Sequence, residues 1–295
     1  MKRTARARQL LSQEGVVVLP GVYDALSVRV AEQAGFPGAY VTGYGVEAAL
    51  LGRPDIGLTT LTEVADQAHR IAAAVDIPVF CDADTGFGGV INVYRAVREL
   101  EQAGIVGAHI EDQTSPKRCG GMAGRSVIPI GEMVAKLKAA IEAREDPEFV
   151  LIARTDAREA HGVDEAIRRL NAYLEAGADL ALVAEHYEPD ELARVAASVS
   201  GPLMIVGGLP GWEESLLPVA TYQEMGIKVV VHALGPLYAA TRALREFMAL
   251  LRRQGFLGKT DVDAHLVSFN EFNELVGLDR WRTLEERCLE SQKVR

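Results

Sequence analysis

Cysteine is scarce in this sequence and shows no pattern. Cys81, Cys119 and Cys288 are the three in 295 residues, an odd number without CxxC or any metal-like spacing, and no HExxH occurs. That argues against a disulfide framework and against a structural zinc site. Long apolar runs are missing as well, since none approaches the roughly 20 residues of a membrane span. The basic amino terminus, MKRTARARQLLSQEG, has too short an apolar stretch for a signal peptide, and Glu14 and its brevity argue against a transit peptide. An excess of positive charge is also lacking. The formal net charge is -10 and the pI about 5.2, whereas a protein that binds nucleic acid or acidic membranes in bulk is normally basic. These absences predict a cytoplasmic protein with reduced thiols and with neither nucleic acid nor membrane as a partner.

What is present is alternation. The chain is 48% hydrophobic and 24% charged, an ordinary globular composition. Short apolar runs read as strands: VVVLP (16–20), AYVTG (39–43), PVFCDAD (78–84), GAHIED (107–112), FVLIART (149–155), DLALVAE (179–185), PLMIV (202–206) and KVVVHA (228–233). Between them, segments such as 62–75, 92–104 and 163–177 repeat apolar residues at three- and four-residue spacing, as helices do. Gly35, Gly104, Gly177 and Gly226 stand where helices would close in the left-handed conformation. Strand–helix units in one unbroken order predict a (β/α)8 barrel. An open doubly wound sheet is the runner-up, but no GxGxxG follows the first strand. The expected organisation is one barrel domain over 1–295, with 255–295 as a helical extension. Within it, VDAHLVSFNEFNELV (262–276) carries an apolar face suited to a neighbouring subunit.

A (β/α)8 barrel carries its chemistry at the carboxyl ends of its strands, and the expected ends here are acidic. Asp82 and Asp84 close the third strand, two residues apart and so on one side; Glu111 and Asp112 close the fourth, Glu185 the sixth, and Asp55 follows the second. One such carboxylate is readily explained as a helix cap. Several on one face repel each other unless a cation or a proton relieves them. Oxygen donors without His or Cys spacing favour a hard cation, Mg2+ with Mn2+ as a substitute. Arg154, at the end of the fifth strand, either pairs with these acids or grips a substrate carboxylate or carbonyl oxygen. The TGYG stretch (42–45) offers backbone N–H groups in a tight turn for a second carboxylate. Cys119 follows Lys117 and Arg118 and precedes Gly120, Gly121 and Gly124. The two cations are expected to lower its thiol pKa, and the glycines to let the loop open and close. Cys81, in an apolar run, reads as core.

The motifs GVYDALS, LGRPDIGLTTLTE, DADTGFGG, HIEDQTSPKRCG and IARTDA, in that order over about residues 15–250, resemble the isocitrate lyase and phosphoenolpyruvate mutase superfamily. The KRCG loop is most similar to the methylisocitrate lyase-like branch, and carboxyphosphonoenolpyruvate mutase shares it. The resemblance implies a (β/α)8 barrel whose last helix is exchanged between subunits, usually in homotetramers. It implies that Asp82 and Asp84 hold Mg2+, largely through water, with Asp55 and Glu111 around it. By the same resemblance Thr42, Gly43 and Tyr44 bind the carboxylate of a 2-oxo acid, Arg154 grips that acid and Tyr40 lies near the reacting oxygen. Cys119 matches the cysteine that protonates the carbanion left by bond cleavage, and Glu185 matches the acid on strand six.

Two departures bear on substrate. Gly121 stands where the lyases read histidine after KRCG, and IVGGLPG puts Val206 and Gly208 where they carry Asn–x–Thr. Two polar anchors for a larger product are missing. The expected function is a Mg2+-dependent carbon–carbon bond lyase acting on a 2-hydroxy or 2-oxo di- or tricarboxylic acid, methylisocitrate- or dialkylmalate-like, that releases a 2-oxo acid. A base among Tyr40, Asp55 and metal-bound water would take the hydroxyl proton. The alternatives are a phosphonate mutase, to which the glycines after strand seven would suit a phosphate, and a barrel that binds acids without catalysis.

Overall fold

The computed structural model describes residues 1–207 and 217–290. Its centre is a closed parallel barrel in sequential order, with β1 (Val17–Val22), β2 (Ala39–Val41), β3 (Val79–Asp82), β4 (Gly107–Glu111), β5 (Val150–Thr155), β6 (Leu180–Val183), β7 (Leu203–Val206) and β8 (Val229–His232), which pairs back onto β1. The helices between strands are α2 (Ala25–Gln33), α3 (Gly43–Leu51), α4 (Leu61–Ala73), α5 (Val90–Gln102), α6 (Ile130–Ala143), α7 (Arg158–His161), α8 (Val163–Glu175), α9 (Pro189–Ser198) and α10 (Val219–Glu224), with α1 (Arg3–Ser12) preceding the barrel. The expected (β/α)8 architecture is therefore present. All of the apolar runs read as strands form strands, each within a few residues of its expected ends. Gly35, Gly104, Gly177 and Gly226 all take positive φ, between 81° and 107°. They close α2, α5, α8 and α10 as the sequence predicted. Among the described residues no helix is long and apolar enough to cross a membrane.

The two-residue period of a strand divides its side chains between lumen and helical shell. On β5, Val150 and Ile152 join the inner cluster with Leu19, Phe80, Leu180, Leu182, Met204 and Val231, while Leu151 and Ala153 pack outward against the helices. Arg154 continues the inward series. The same parity sends Tyr40, Asp82, His109 and Glu111 into the lumen and Cys81 outward into the shell, where it is fully buried as expected of a core cysteine. Lateral register sets Asp82 beside His109 and Glu111 beside Arg154. The floor is apolar and the mouth is charged.

The arginines of α1 have a structural task at the opposite end. Arg3 donates to the Ala72 carbonyl at 2.5 Å, Arg6 to Asp76 at 2.9 Å and Arg8 to Glu148 and Phe149 at 3.0 Å each, with Asp179 also paired to Arg8 at 2.7 Å. They hold the helix against the amino-terminal rim.

Two acids expected at the mouth are turned away from it by parity. Asp112 follows the inward Glu111 and so faces the shell, where it accepts hydrogen bonds from Thr155 Oγ1 (2.7 Å), the Asp156 N–H (3.0 Å), Arg169 Nη1 (3.0 Å) and Tyr173 OH (2.7 Å). It fastens α8 to the strands. Glu185 is the second and is described with the site.

By compactness the chain divides into Met1–Leu237 and Tyr238–Arg295. The second unit takes in most of α11 (Gly235–Gln254), then α12 (Lys259–His265), α13 (Phe269–Leu275) and α14 (Leu278–Glu290). The segment 262–276, read from sequence as one amphipathic stretch, is split between α12 and α13. Ser268 ends the continuity because it caps α13 in a reciprocal pair with Glu271.

Replacing Asp112 by alanine takes from buried Arg169 one of its two carboxylate partners, Glu165 remaining at 2.8 Å, and removes the acceptor of Tyr173 and Thr155. The expected loss in unfolding free energy is about 3–5 kcal/mol, as for other broken buried pairs. Urea denaturation of the purified variant measures it, and a loss below about 1 kcal/mol would show that this network is not structural.

Candidate active site

At the mouth, β3 ends at Asp82 and the chain enters a sharp turn. Asp84 has φ +48°, in the left-handed region that non-glycine residues seldom occupy, and its N–H donates to Asp82 Oδ1 at 2.9 Å. This turn, rather than strand alternation, brings the two carboxylates to one side, which corrects the reasoning from sequence though not the placement. Across from them α3 begins. Thr42 caps it by accepting from the Gly45 N–H at 3.4 Å, so TGYG is the first turn of a helix and not a free-standing tight turn. The Gly43 N–H donates to Asp82 Oδ2 at 3.2 Å, and a Cβ at Gly43 would lie 2.7 Å from that same oxygen. Only glycine lets the helix end approach the acid this closely.

The buried charges are paired tightly. Lys117 Nζ lies 2.5 Å from Asp55 Oδ1 and 2.5 Å from Asp84 Oδ1. Arg154 Nη1 lies 2.8 Å from Glu111 Oε2, and its Nη2 donates to Asp156 Oδ1 at 2.8 Å. His109 reaches Asp82 Oδ1 at 2.9 Å through Nε2, a pair close in distance but not aligned as a hydrogen bond, while its Nδ1 contacts the Tyr40 hydroxyl. Burial lowers the His109 pKa, but Asp82 outweighs it and the imidazole is pushed up to about 9. Held as imidazolium, it donates to Tyr40 and leaves the phenol proton free to point elsewhere. Burial also raises both aspartates. At Asp82 the cations His109, Lys117 and Arg154 win and hold it well below the usual carboxylate range; Asp84, facing Asp82, Asp55 and Glu111, rises to about 7 despite Lys117.

The loop after β4 folds over this mouth. The Cys119 N–H donates to the Asp55 carbonyl at 3.1 Å. A Cβ on Gly120 would overlap the Ala184 carbonyl oxygen and sit 3.0 Å from Arg154 Nη2. Beneath the loop is a cavity of about 50 Å³. One wall is polar, with Tyr40, Thr42, Tyr44, Asp55, Asp82, His109, Arg154 and Cys119, and the other is apolar, with Leu182, Ala184, Val206, Ala233 and Leu234; Gly120 and Gly121 complete it. A larger cleft of about 380 Å³ opens on the far side of Lys117 and Asp84 between threonines 59, 60 and 62, Asn92 and Arg95. It borders neither Cys119 nor Arg154, so the smaller cavity is the candidate site.

The thiol departs from the sequence expectation. Burial raises the Cys119 pKa above its ordinary value and Asp55 adds to the rise; Arg154 and Lys117 only temper it. Lys117 spends its charge on two aspartates, and Arg118 is exposed and donates to the Ala123 carbonyl at 3.2 Å. Cys119 is therefore held as thiol, not thiolate.

With this geometry in view, comparison with known proteins is decisive. The profile of the phosphoenolpyruvate phosphomutase family matches residues 7–252. The chain belongs to that family. It is 44% identical to the petal death protein of Dianthus caryophyllus over 97% of this chain and 89% of that one. It is 40% identical to 2,3-dimethylmalate lyase of Eubacterium barkeri, over 97% and 98% respectively. A structure of phosphonopyruvate hydrolase with oxalate and Mg2+ superposes with a TM-score of 0.88 at 34% identity, over 98% of this chain and all (100%) of the other. The resemblance to the isocitrate lyase and phosphoenolpyruvate mutase superfamily read from the motifs is thereby established.

Of the family positions named from sequence, Tyr40, Thr42, Tyr44, Asp55, Asp82, Cys119 and Arg154 border the cavity directly. Gly43 and Asp84 touch Asp82, and Glu111 lies behind Arg154. Glu185 does not join them. One oxygen accepts from Arg125 Nη2 (2.9 Å) and the Glu159 N–H (3.0 Å), the other from the Arg158 N–H (2.9 Å). Val206 and Gly121, the departures from the lyase pattern, both line the cavity; Gly208 lies outside the described residues. His109 and the wedge made by Lys117 were not singled out from sequence, although the parity of GAHIED already put His109 beside Glu111 on the inward face.

Among the described residues no three His, Cys, Asp or Glu side chains converge to ligate one ion directly. The donor chemistry nonetheless suits a hydrated hard cation. Both Glu111 oxygens and Asp84 Oδ1 are buried without a hydrogen-bond partner, even where Arg154 and Lys117 lie within ion-pairing distance. Mg2+ binds through one or two carboxylates and keeps several waters, which is what such a set can offer.

Proposed function

We propose that this chain is a Mg2+-dependent lyase that splits a carbon–carbon bond in a small 2-hydroxy diacid of the alkyl-substituted malate class, releasing a 2-oxo acid. The observation that carries this reading is the two-sided cavity under the Cys119 loop, charged at one wall and apolar at the other. Arg154 borders the cavity with its guanidinium fork, while the imidazolium of His109, also on the lining, is turned to Asp82 and Tyr40. The space is small: one water needs about 10–15 Å³ by the same measure, so the cavity takes about three to five.

Asp82 and Asp84 would hold Mg2+ through few direct contacts, with Asp55 and Glu111 around it. Bound there, the ion supplies Lewis-acid stabilisation of the oxygen that becomes the 2-oxo group, worth several kcal/mol. Arg154, with Thr42, Gly43 and Tyr44 at the positive end of α3, receives the 2-carboxylate. Asp55 takes the hydroxyl proton. Burial raises its pKa while Lys117 restrains the rise, making it a better base than a surface carboxylate. Tyr40, accepting from His109, donates a hydrogen bond to the developing oxyanion and keeps its proton. As the bond breaks, its electron pair passes to the carbon of the departing acid, and the Cys119 thiol protonates that carbon. A thiol held protonated is the form this step needs. Glu185, fully engaged with the loop and α7, has no place in this scheme.

A phosphonate substrate is the second reading, favoured by the family match itself. Assaying 2-oxo acid release from 2,3-dimethylmalate, other alkylmalates, methylisocitrate and phosphonopyruvate separates the two. Turnover of phosphonopyruvate alone would replace the lyase with phosphorus–carbon chemistry. No turnover of any of them, with metal retained, would favour a binding barrel.

The reading extends to assembly as a homotetramer with exchanged carboxyl-terminal helices. Leu244, Met248 and Leu251 on α11, Phe269 on α13, and Trp281 and Leu289 on α14 are exposed in the single chain. Apolar surface on this scale is characteristic of an interface.

Four outcomes are expected. Chelation abolishes turnover and Mg2+ or Mn2+ restores it, while Asp82→Ala and Asp84→Ala lose far more activity than thermal stability; full activity in excess EDTA would refute the metal role. Cys119→Ser lowers turnover by roughly 10²-fold or more, because a hydroxyl is a weaker acid than a thiol. Wild type prefers alkylmalates to methylisocitrate, and Gly121→His with Val206→Asn shifts preference toward the tricarboxylate, each restored charged hydrogen bond contributing about 1.5–3 kcal/mol. Wild type that turns over methylisocitrate best defeats that assignment. Deleting residues 258–295 lowers the oligomer number in light scattering, and an unchanged number would count against helix exchange.

A further inference from the structure

Arg125 stands six residues after Cys119 in the same loop, and nothing in the scheme above uses it. Its side chain is 5% exposed. Nη1 donates to the backbone carbonyls of Gly120 at 2.6 Å, Cys119 at 3.4 Å and also Met122. Nη2 meets Glu185 Oε1 at 2.9 Å and Glu159 Oε2 at 2.8 Å. One guanidinium thus gathers the Cys119 turn on one side and ties it to the end of β6 and to α7 on the other. The Cys119 carbonyl also accepts from the Met122 N–H at 2.9 Å, so the guanidinium reinforces a turn that the backbone has closed.

Asp156 connects this clasp to the cavity. Its Oδ1 accepts from Arg154 Nη2 at 2.8 Å and lies 3.7 Å from Arg125 Nε, which is buried and has no hydrogen-bond partner. Both guanidiniums face Asp156 Oδ1, while its Oδ2 is buried without a hydrogen-bond partner. An anion arriving at Arg154 takes up part of its donor capacity, frees Asp156 to swing the remaining distance, and gives Arg125 Nε its missing acceptor. Gly120, packed against Arg154 Nη2, is the part of the loop that such a movement would settle.

We propose that Arg125 is a positioning residue that clasps the Cys119 loop over the cavity and, through Asp156, tightens when an anion occupies Arg154. Its effect on turnover rests on the lyase reading; its effect on access to Cys119 does not.

The test is peptide-resolved alkylation of the full chain by iodoacetamide, with exposed Cys288 as internal reference and oxalate as the anionic probe. In wild type Cys119 should react slowly, and oxalate should slow it further. In Arg125→Ala the Cys119 rate should rise about tenfold or more, since local opening is governed by the contacts that hold the segment, while the Cys288 rate stays fixed. Arg125→Lys, which keeps the charge but not the fork, should fall between. Asp156→Asn should blunt the protection by oxalate. With 2,3-dimethylmalate, Arg125→Ala should lose kcat by about tenfold with a smaller change in KM, because substrate is held by Arg154 while the acid is misplaced. If Arg125→Ala does not fold, Glu159→Gln takes its place, since Glu159 is 36% exposed and its loss removes one arm of the clasp; a severalfold faster Cys119 rate is then expected. An unchanged Cys119 rate in the folded variant overturns the clasp. Absence of protection by oxalate in wild type overturns the coupling. Wild type inactive on every malate, with the labelling pattern as described, removes the lyase reading and leaves the clasp standing.

Discussion

Lys117 lies 2.5 Å from both Asp55 and Asp84, inside a lumen that also buries Asp82 and Glu111, and the barrel mouth depends on that wedge. Charges taken out of water are tolerated only when paired and hydrogen-bonded. Lys117, Arg154 and imidazolium His109 face Asp55, Asp82, Asp84, Glu111 and Asp156, three positive groups against five negative ones. Negative charge is in excess, and at Asp84 burial together with the neighbouring carboxylates Asp82, Asp55 and Glu111 raises the pKa to about 7 despite Lys117. A divalent ion entering such a set displaces a proton. The same lysine belongs to the Cys119 loop, so loop position and charge balance are one problem.

The loop is pinned by different means along its length. Lys117 anchors it through charge to the β3 end, Gly120 through close approach to the Ala184 carbonyl and Arg154, and Arg125 through its fork to Glu185 and Glu159. The anchors reach the ends of β3, β5 and β6, so the barrel itself supplies the template on which the loop is shaped. The strands can do this because their inward series ends in polar residues at the mouth, whereas the floor is filled by Leu19, Phe80, Ile152 and Leu180.

Most of the fold was legible because its signals are periodic. Runs of apolar residues marked every strand to within a few residues, and the closing glycines stand two residues past the ends of α2, α5, α8 and α10. The site was legible where chemistry coincided with a strand end, as at Asp82, Glu111 and Arg154. Asp112 and Glu185 were misplaced although the information was present: each is one step out of phase with an inward neighbour, Glu111 and Ala184. The thiol was misjudged for a different reason. Neighbours along the chain are not neighbours in space, and Lys117 and Arg118 point their charges at other partners. Arg125 lacked any signal, because its acceptors are backbone carbonyls and acids distant in sequence.

A cysteine kept as thiol has a further property. Peroxide attacks the thiolate, and oxidation to sulfenic acid follows thiolate character and access. Burial and Asp55 hold the Cys119 proton in place, and the folded loop leaves it only partly exposed. The arrangement that suits a proton donor therefore also makes a loop cysteine durable under oxidative stress, whereas a low-pKa thiol in the same position would behave as a redox sensor.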